Sequence, residues 1–243
     1  MGNPMGWTRF KGRPHLFILP IVFVFHPKSV ESTPLPIYIP FYYNSGAMGK
    51  ELLPKSILAN YEVHEWKHAC AILKDDFPAE WQDIVDLLTQ FRLCKSWISK
   101  GGGNKSQVAD AIDEFLTARG WLEKEFATSV HVDENVMDSP THKVDCYKNR
   151  VALEIEWNNK DPFFDRDLNN FRLLFDLRAI SVGIIITRCD HLQEIFAKLG
   201  RGSSYGASTT HVSKLLPRIQ GGSGAGCPIL VFGISNKLYD ENC

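Results

Sequence analysis

The stretch Asp145-Cys-Tyr-Lys-Asn-Arg-Val-Ala-Leu-Glu-Ile-Glu-Trp157 combines three carboxylates with an alternating apolar pattern. From Val151 onward, every second side chain is apolar, and alternate side chains of a strand share one face. Glu154 and Glu156 then share the opposite face. We expect the apolar set to enter a core and the two acidic side chains to face a cleft.

The same stretch predicts a β-hairpin. Lys143–Tyr147 and Val151–Trp157 have strand character, and the chain is expected to turn at Lys148–Asn149. This reversal brings Asp145 beside Glu154. Carboxylates this close repel each other unless a cation neutralises them, and hard oxygen ligands favour Mg²⁺. The pattern alone is more typical of an ordinary exposed acidic strand face, so the surrounding sequence has to decide.

Outside the hairpin, helical and strand patterns alternate. Apolar residues recur at helical spacing in Trp81–Phe91, Val108–Leu116 and Leu168–Leu177. Short continuous apolar runs at Val182–Thr187 and Pro228–Ile234 are typical of fully buried strands. This order predicts an α/β fold with a central mixed β-sheet and helices on both sides.

Residues 1–47 differ from the rest of the chain because they hold many of its prolines. The apolar run Leu16–Phe25 is interrupted by Pro20, lacks a small-residue cleavage site and is too short to span a bilayer. We expect residues 1–47 to be a poorly ordered extension, or sequence upstream of a natural start at Met48. Residues 48–243 are expected to form a single domain, and no membrane partner is predicted.

Composition sets broad limits on function. The 243 residues are 44% hydrophobic and 23% charged, which is typical of a globular protein. The net charge of −1 gives no overall polyanion-binding signature, although local basic stripes matter more than the total. The six cysteines form no C-x-x-C pair, and no histidine lies at zinc-ligand spacing. We therefore expect free thiols in a reducing cytoplasm rather than a zinc site.

Lys100–Ser106 is a glycine-rich basic loop that precedes a helix capped by Ser106. The residues leave two interpretations open: a linker between helices, or a phosphate contact made by Lys100, Lys105 and backbone N–H groups. The loop lacks the G-K-[ST] ending of a P-loop, which excludes that class of nucleotide site.

The sequence around the carboxylates resembles a known enzyme group. Val151–Phe163, Leu173–Leu177 and Val182–Arg188 are similar to the BglII/BstYI group of type II restriction endonucleases, relatives of BamHI among the PD-(D/E)xK nucleases. The resemblance runs from about residue 61 to residue 235 in element order and is close from residue 145 to residue 188. It implies a restriction-endonuclease-like α/β core.

The resemblance also implies catalytic roles for the three carboxylates. Asp145 and Glu154 become Mg²⁺ ligands, and Glu156 takes the third position. That position is usually lysine in the wider superfamily. The glutamate leaves open whether Glu156 orients the attacking water, deprotonates it, or leaves this task to a second metal ion.

The family supplies a further polar residue from the end of the preceding helix, shortly after a tryptophan. Here that region is Trp121–Glu125. Glu123 and Glu125 are candidate metal-site helpers, and Lys124 is a candidate phosphate contact. Ordinary solvated positions after a helix end are the alternative.

The resemblance implies two segments that contact DNA. Asn158, Asn159, Lys160 and Asp161 occupy the place that reaches base edges in the major groove. Their chemistry fits, because Asn reads adenine, Lys reads guanine and Asp accepts from cytosine, although Asn and Asp are also common turn residues. The residues implied for a second recognition loop are Arg201, Ser203, Ser204, Tyr205, Ser208, Thr209 and Thr210.

Taken together, the resemblance implies a cytoplasmic homodimer that uses Mg²⁺ to hydrolyse phosphodiester bonds in double-stranded DNA at a short palindromic site. A GATC-centred sequence is the candidate site. Two alternatives remain: a PD-(D/E)xK nuclease of repair or toxin type without strict sequence specificity, and a catalytically inactive DNA-binding protein.

Overall fold

The computed structural model describes residues 49–100, 105–138 and 141–243, so the predictions made for residues 1–47 lie outside the described residues. The α-helices of these described ranges are α1 (Lys55–Asn60), α2 (Ala69–Asp76), α3 (Pro78–Gln90), α4 (Lys95–Ser99), α5 (Gln107–Thr117), α6 (Phe163–Asp176), α7 (Leu192–Lys198) and α8 (Val212–Gln220). The strands are β1 (Tyr61–Trp66), β2 (Leu93–Cys94), β3 (Leu122–Lys124), β4 (Ser129–Val132), β5 (Asn135–Asp138), β6 (Val144–Lys148), β7 (Val151–Ile155), β8 (Val182–Arg188), β9 (Ile229–Ile234) and β10 (Tyr239–Asp240). No described helix is long and apolar enough to cross a membrane.

Six strands form the central sheet in the order β1-β9-β8-β7-β6-β3. Strands β7, β8 and β9 run parallel to one another, whereas β1, β6 and β3 run antiparallel to their neighbours. Apolar residues of helices pack on both faces of this sheet. The predicted α/β fold with a central mixed sheet flanked by helices is therefore confirmed.

The two faces of the sheet pack against different helices. On one face, Leu153 and Ile155 of β7 pack with apolar residues of α1 to α5 and of α7. On the other face, Ala152 packs with α6 and α8. Because alternate residues of a strand share a face, Glu154 lies on the α6 side together with Ala152.

A glycine lets α6 lie close against the sheet. A Cβ atom on Gly183 of β8 would be 2.4 Å from Cδ2 of Phe171, a fully buried residue of α6. That separation is far below van der Waals contact, so any side chain at Gly183 would displace the helix. The close approach of α6 decides what surrounds the acidic face of β7.

The predicted hairpin is confirmed as β6 and β7, with Cys146 opposite Leu153. The turn residues are Asn149 and Arg150, one position later than predicted. Both have positive φ (43° and 69°), which is the backbone of the tight turns that match strand twist. Strand β6 also shifts register against β3, in the region where Asp145 lies.

The expectation of free thiols throughout is wrong for one pair. Cys94 and Cys243 form a disulfide, whereas the remaining four cysteines are free and buried. The reason is a pairing of distant segments: β10 runs parallel to β2 with Asp240 opposite Cys94, which brings the end of the chain to this strand. Sequence spacing gives no sign of that pairing.

Candidate active site

The β6–β7 hairpin brings Asp145 and Glu154 into contact. Oε2 of Glu154 accepts a hydrogen bond from the backbone N–H of Asp145 at 3.3 Å. Oδ2 of Asp145 accepts from the backbone N–H of Ile155 at 2.9 Å. Glu154 is fully buried, and its Oε1 has no hydrogen-bond partner. Two neighbouring carboxylates therefore include one buried oxygen atom that the protein leaves uncompensated.

Glu156 lies on the same face of the hairpin and is also buried. Nδ2 of Asn159 donates to its Oε2 at 2.9 Å, and Nη2 of Arg166 donates to its Oε1 at 3.3 Å. The expectation that Glu154 and Glu156 face an open cleft is wrong, because α6 covers them and contributes Arg166 and Asp167 to their surroundings.

Glu154, Glu156 and Asp167 form what we term the buried acidic set. Oδ1 of Asp167 accepts from Nη2 of Arg166 at 2.8 Å, whereas its Oδ2 has no partner. Burial, and then the negative charge of Asp167, raises the pKa of Glu156 to about 9 and the pKa of Glu154 well above its usual value. Burial also raises the pKa of Asp167. Burial and mutual repulsion therefore favour a protonated carboxyl group within this set when no cation is present.

A cleft of about 540 Å³ opens beside Asp145. Asp145, Asp113 and Glu123, which we term the cleft acidic set, all line it. The other lining residues are Lys105, Ser106, Ala109, Ile155, Trp157 and Asn159. Asp145 is thus in contact with Glu154 while also lining the open cleft.

Asp113 is a site residue that the sequence reasoning missed. It lies on α5, accepts from Nζ of Lys105 at 2.6 Å and from Sγ of Cys146 at 3.6 Å. Burial raises the pKa of Asp145, and the charge of Asp113 adds to that rise. Nothing in the sequence distinguishes Asp113 from Asp110 and Glu114 of the same helix, since only the packing of α5 against β6 selects it.

The sequence does not predict that Arg166 and Asp167 lie beside the carboxylates, although the pattern held a signal for Asp167. It follows Phe164 by three positions and precedes Phe171 by four, which places it on the apolar face of a helix. An acidic residue on the buried face of a helix is unusual and predicts a polar environment there. Arg166 carries no comparable signal, because it lies in the first turn of a helix, where most side chains are exposed.

The structure separates the candidates that follow Trp121. Glu123 lies on β3 at the cleft, and its exposed carboxylate pairs with Lys143 at 3.1 Å. Nζ of Lys124 lies 5.5 Å from the ring centroid of Phe126, and Glu125 is exposed and outside the cleft lining. These residues belong to a strand and its end rather than to a helix end, so their alternation decides which one faces the cleft.

The two segments predicted to contact DNA are hydrogen-bonded to each other. We term Asn158–Asp161 the first segment and Arg201–Thr210 the second segment. The contacts between them are a Lys160–Thr209 β-bridge, a 3.0 Å bond from the Asp161 N–H to the Ser208 carbonyl and a 2.8 Å bond from the Thr210 N–H to the Asn159 carbonyl. The segments therefore meet at the end of β7, directly after Glu156.

Side chains of these segments differ in exposure. The exposed ones are Lys160, Ser203, Ser204 and Ser208, the half-buried ones are Asn158, Asn159, Asp161 and Arg201, and the buried ones are Tyr205, Thr209 and Thr210. Tyr205 stacks on Phe196 with ring centroids 4.0 Å apart. The structure therefore brings only part of the predicted DNA-contact set to the surface, and Lys105, exposed at the cleft, joins that part.

Asn158 carries local strain within the first segment. Its φ is 62°, and its buried Oδ1 has no hydrogen-bond partner. Backbone strain and unsatisfied polar atoms concentrate at functional sites. The backbone therefore turns at this residue, between Trp157 and the rest of the first segment.

The carboxylate oxygens of Asp145 and Glu154 are the type of ligand that a hard cation binds. Among the described residues, no three or more His, Cys, Asp or Glu side chains are already arranged as a metal site. Asp145 and Glu154 nevertheless offer adjacent carboxylate oxygens, and Oε1 of Glu154 is buried without a partner. Oxygen ligands of this kind are those that Mg²⁺ takes in proteins.

The family described as restriction endonuclease BglII/BglIII matches residues 61–234. The match begins at the first residue of β1 and ends at the last residue of β9, so it spans the whole central sheet, the hairpin and both segments. No individual curated protein matches the chain. Since the family match covers well over half of the sequence and the fold is the expected one, the chain belongs to the BglII/BglIII family of restriction endonucleases.

Proposed function

We propose that the protein is a type II restriction endonuclease that uses Mg²⁺ to hydrolyse both strands of duplex DNA at a short palindromic site. Family membership supports endonuclease activity on DNA. The observation that carries the proposal further is the contact between Asp145 and Glu154, with a buried and unpartnered oxygen on Glu154 beside an open cleft.

Asp145 and Glu154 are the residues that would hold the metal ion, with Glu156 as the third member. A bound Mg²⁺ polarises a phosphoryl oxygen and lowers the pKa of a water molecule. Glu156, hydrogen-bonded by Asn159 and Arg166, is assigned to the third position, where it would orient or deprotonate the attacking water. The resemblance noted above implies cleavage that leaves a 5′-phosphate and a 3′-hydroxyl.

DNA recognition is assigned to the first and second segments. Lys160, Ser203, Ser204 and Ser208 are exposed and have side chains that suit base edges or phosphates. Lys105 adds positive charge at the mouth of the cleft. A homodimer with two-fold symmetry would place two such surfaces on a palindromic site, for which a GATC-centred sequence is the candidate.

Removal of the Glu154 side chain tests the proposed metal site. We expect Glu154→Ala to lower plasmid cleavage in Mg²⁺ by at least about 1000-fold, because a metal ligand is lost. DNA binding in Ca²⁺, measured by gel shift, should survive. Glu154→Gln, which keeps the buried volume, should behave in the same way, whereas Glu194→Ala, at an exposed position on α7, should cleave as the wild type does. Retained cleavage by Glu154→Ala would refute the site.

The pattern of wild-type products tests specificity. Digestion of plasmid DNA should give discrete bands that share one end sequence. A smear would contradict sequence-specific restriction and favour a nuclease of repair or toxin type. DNA binding with no cleavage in Mg²⁺ would favour the inactive DNA-binding alternative.

A further inference from the structure

We propose that Arg188 is a positioning residue that makes the first and second segments one recognition unit and joins this unit to Glu156. The inference rests on the proposed function, because it assumes that the two segments read DNA. It adds a residue whose side chain is buried and therefore has no place in a list of surface DNA contacts.

Arg188 is the last residue of β8 and is only 2% exposed. Its Nη2 donates to the backbone carbonyl of Tyr205 at 3.2 Å and to Oγ1 of Thr209 at 2.9 Å. Its guanidinium carbon lies 5.4 Å from the ring centroid of Phe196, the residue on which Tyr205 stacks. One buried guanidinium thus holds the second segment at two points.

This arrangement is a poor choice for stability alone. Within the described ranges, Arg188 forms no ion pair, and its Nε has no hydrogen-bond partner. Burial lowers its pKa, which shows that the surroundings disfavour the charged form. The charge of Asp190 acts favourably on Arg188 without pairing with it directly in the described part of the chain, so burial of the guanidinium still carries a cost that an apolar residue of similar volume would avoid. The hydrogen bonds that Arg188 donates to the second segment give a reason for a buried guanidinium at this position.

A short path leads from Arg188 to the acidic face. Thr209, which Arg188 holds, forms the β-bridge with Lys160 of the first segment. The next residue, Thr210, donates from Oγ1 to the backbone carbonyl of Glu156 at 3.1 Å. A shift of the second segment therefore moves the first segment and alters a hydrogen bond on the residue that carries the third carboxylate.

A second hydroxyl on the same carbonyl provides an internal control. Oγ1 of Thr187, on β8, donates to the Glu156 carbonyl at 2.9 Å. Thr187 belongs to the sheet and Thr210 to the second segment, so the two bonds are chemically alike and differ only in what they attach to Glu156. Loss of the Thr210 bond should uncouple recognition from cleavage, whereas loss of the Thr187 bond should not.

The experiment uses a pool of DNA duplexes with about eight randomised base pairs, which is longer than a palindromic site of about six base pairs. The full-length wild-type protein and the Arg188→Met variant each cut the pool in Mg²⁺, and the ends are sequenced. We expect the ratio of cognate cuts to single-mismatch cuts to fall about tenfold in Arg188→Met, since a mismatch is normally worth 1–3 kcal/mol or about 5- to 150-fold. Arg188→Lys keeps the charge without the fork of donors and should lie between the two.

The paired threonine variants test the path to Glu156. Thr210→Val should lower the cognate-to-mismatch ratio, and Thr210→Ser should restore it. Thr187→Val should lower cognate and mismatched cleavage by the same factor and leave the ratio unchanged. An equal change of the ratio in both valine variants would overturn the inference.

The outcomes separate this inference from the proposed function. A wild-type protein that cuts nothing in the pool, or cuts every sequence alike, contradicts the proposed function. A specific wild-type protein together with a folded Arg188→Met variant of unchanged specificity overturns only the role of Arg188. If thermal unfolding shows that Arg188→Met does not fold, Thr209→Val takes its place, because it removes the acceptor of the 2.9 Å bond from Arg188. A cognate-to-mismatch ratio that is unchanged in Thr209→Val would then overturn the role of Arg188.

Discussion

The cleft acidic set and the buried acidic set meet at the β6–β7 hairpin and differ in how their charges are balanced. In the cleft set, Asp113 pairs with Lys105 and Glu123 pairs with Lys143, and these side chains are in contact with solvent. The buried set has Arg166 as its ion-pair partner, Glu156 and Asp167 are hydrogen-bonded to each other, and Oε1 of Glu154 has no hydrogen-bond partner.

The difference shows what each set is prepared to do. Asp113 and Glu123 lie beside solvent and pair with lysines, so placing their carboxylates at the open side of the site costs little. Burial disfavours the negative charge of the buried set. Protonation or a bound cation removes this penalty. Asp145 belongs to the cleft set but touches Glu154, so a cation at their contact would be shared by the two sides.

The largest of the remaining effects is expected within the cleft acidic set. Asp113→Asn should lower the single-turnover cleavage rate by about 10- to 100-fold, because Asp113 acts on Asp145 across Cys146 as a supporting residue does at a metal site. Glu123→Gln, which removes an exposed ion pair from the same cleft, should lower it by only about threefold. Equal losses in the two variants would mean that position within the cleft has no bearing on catalysis.

A change in the cover of the buried set should act on stability. Gly183→Ala places a Cβ atom 2.4 Å from Phe171 and should push α6 away from the sheet. We expect the free energy of unfolding in urea to fall by about 1–3 kcal/mol. Gly206→Ala is the matched control, because its Cβ would meet its nearest neighbour at 3.5 Å. Similar stability in both alanine variants would show that α6 is not held by this close approach.

A further effect on stability is its dependence on pH. The pKa of Glu156 is raised to about 9 in the folded protein, so the folded state binds more protons than the unfolded state above the usual pKa of a glutamate. The resulting stabilisation is complete below that usual pKa and is lost as the pH rises through about 9. In EDTA, urea unfolding should therefore show stability falling by about 4 kcal/mol from about pH 6 to pH 9, because each pH unit between the two pKa values changes the free energy of unfolding by about 1.4 kcal/mol.

Glu156→Gln is the control for this pH dependence, because a glutamine cannot titrate in the same buried place. The fall in stability should become shallower in that variant. A stability that rises over the same interval would contradict the assignment of a raised pKa to Glu156.

Local patterns of the sequence predict the hairpin and its two faces. Alternation in β7 places Glu154 and Glu156 together, and the apolar side of the strand enters the core as expected. Alternation does not say what covers the acidic face. Burial of Glu154 depends on α6, whose approach depends on a glycine in a strand far along the chain. Periodicity within one element carries no information about which other element packs on it.

Long-range pairing limits what the cysteines and the recognition residues reveal. The disulfide joins positions separated by 149 residues, and only the pairing of β10 with β2 brings them together. Tyr205 and Thr210 have side chains that suit DNA contact, yet the structure buries both. Residue chemistry predicts what a side chain is able to do, and burial decides whether it is available to do it.

The Cys94–Cys243 disulfide gives the chain an unusual covalent outline. It closes a ring of about 150 residues that contains the hairpin, the cleft, the buried acidic set and both segments, while β1, α2 and α3 lie on an arm outside the ring. A closed ring has far fewer unfolded conformations than an open chain, which favours folding by about 5 kcal/mol for this length. Every residue assigned to chemistry or recognition therefore lies within the ring. The arm outside the ring contributes the edge strand β1 and helices that pack on the sheet.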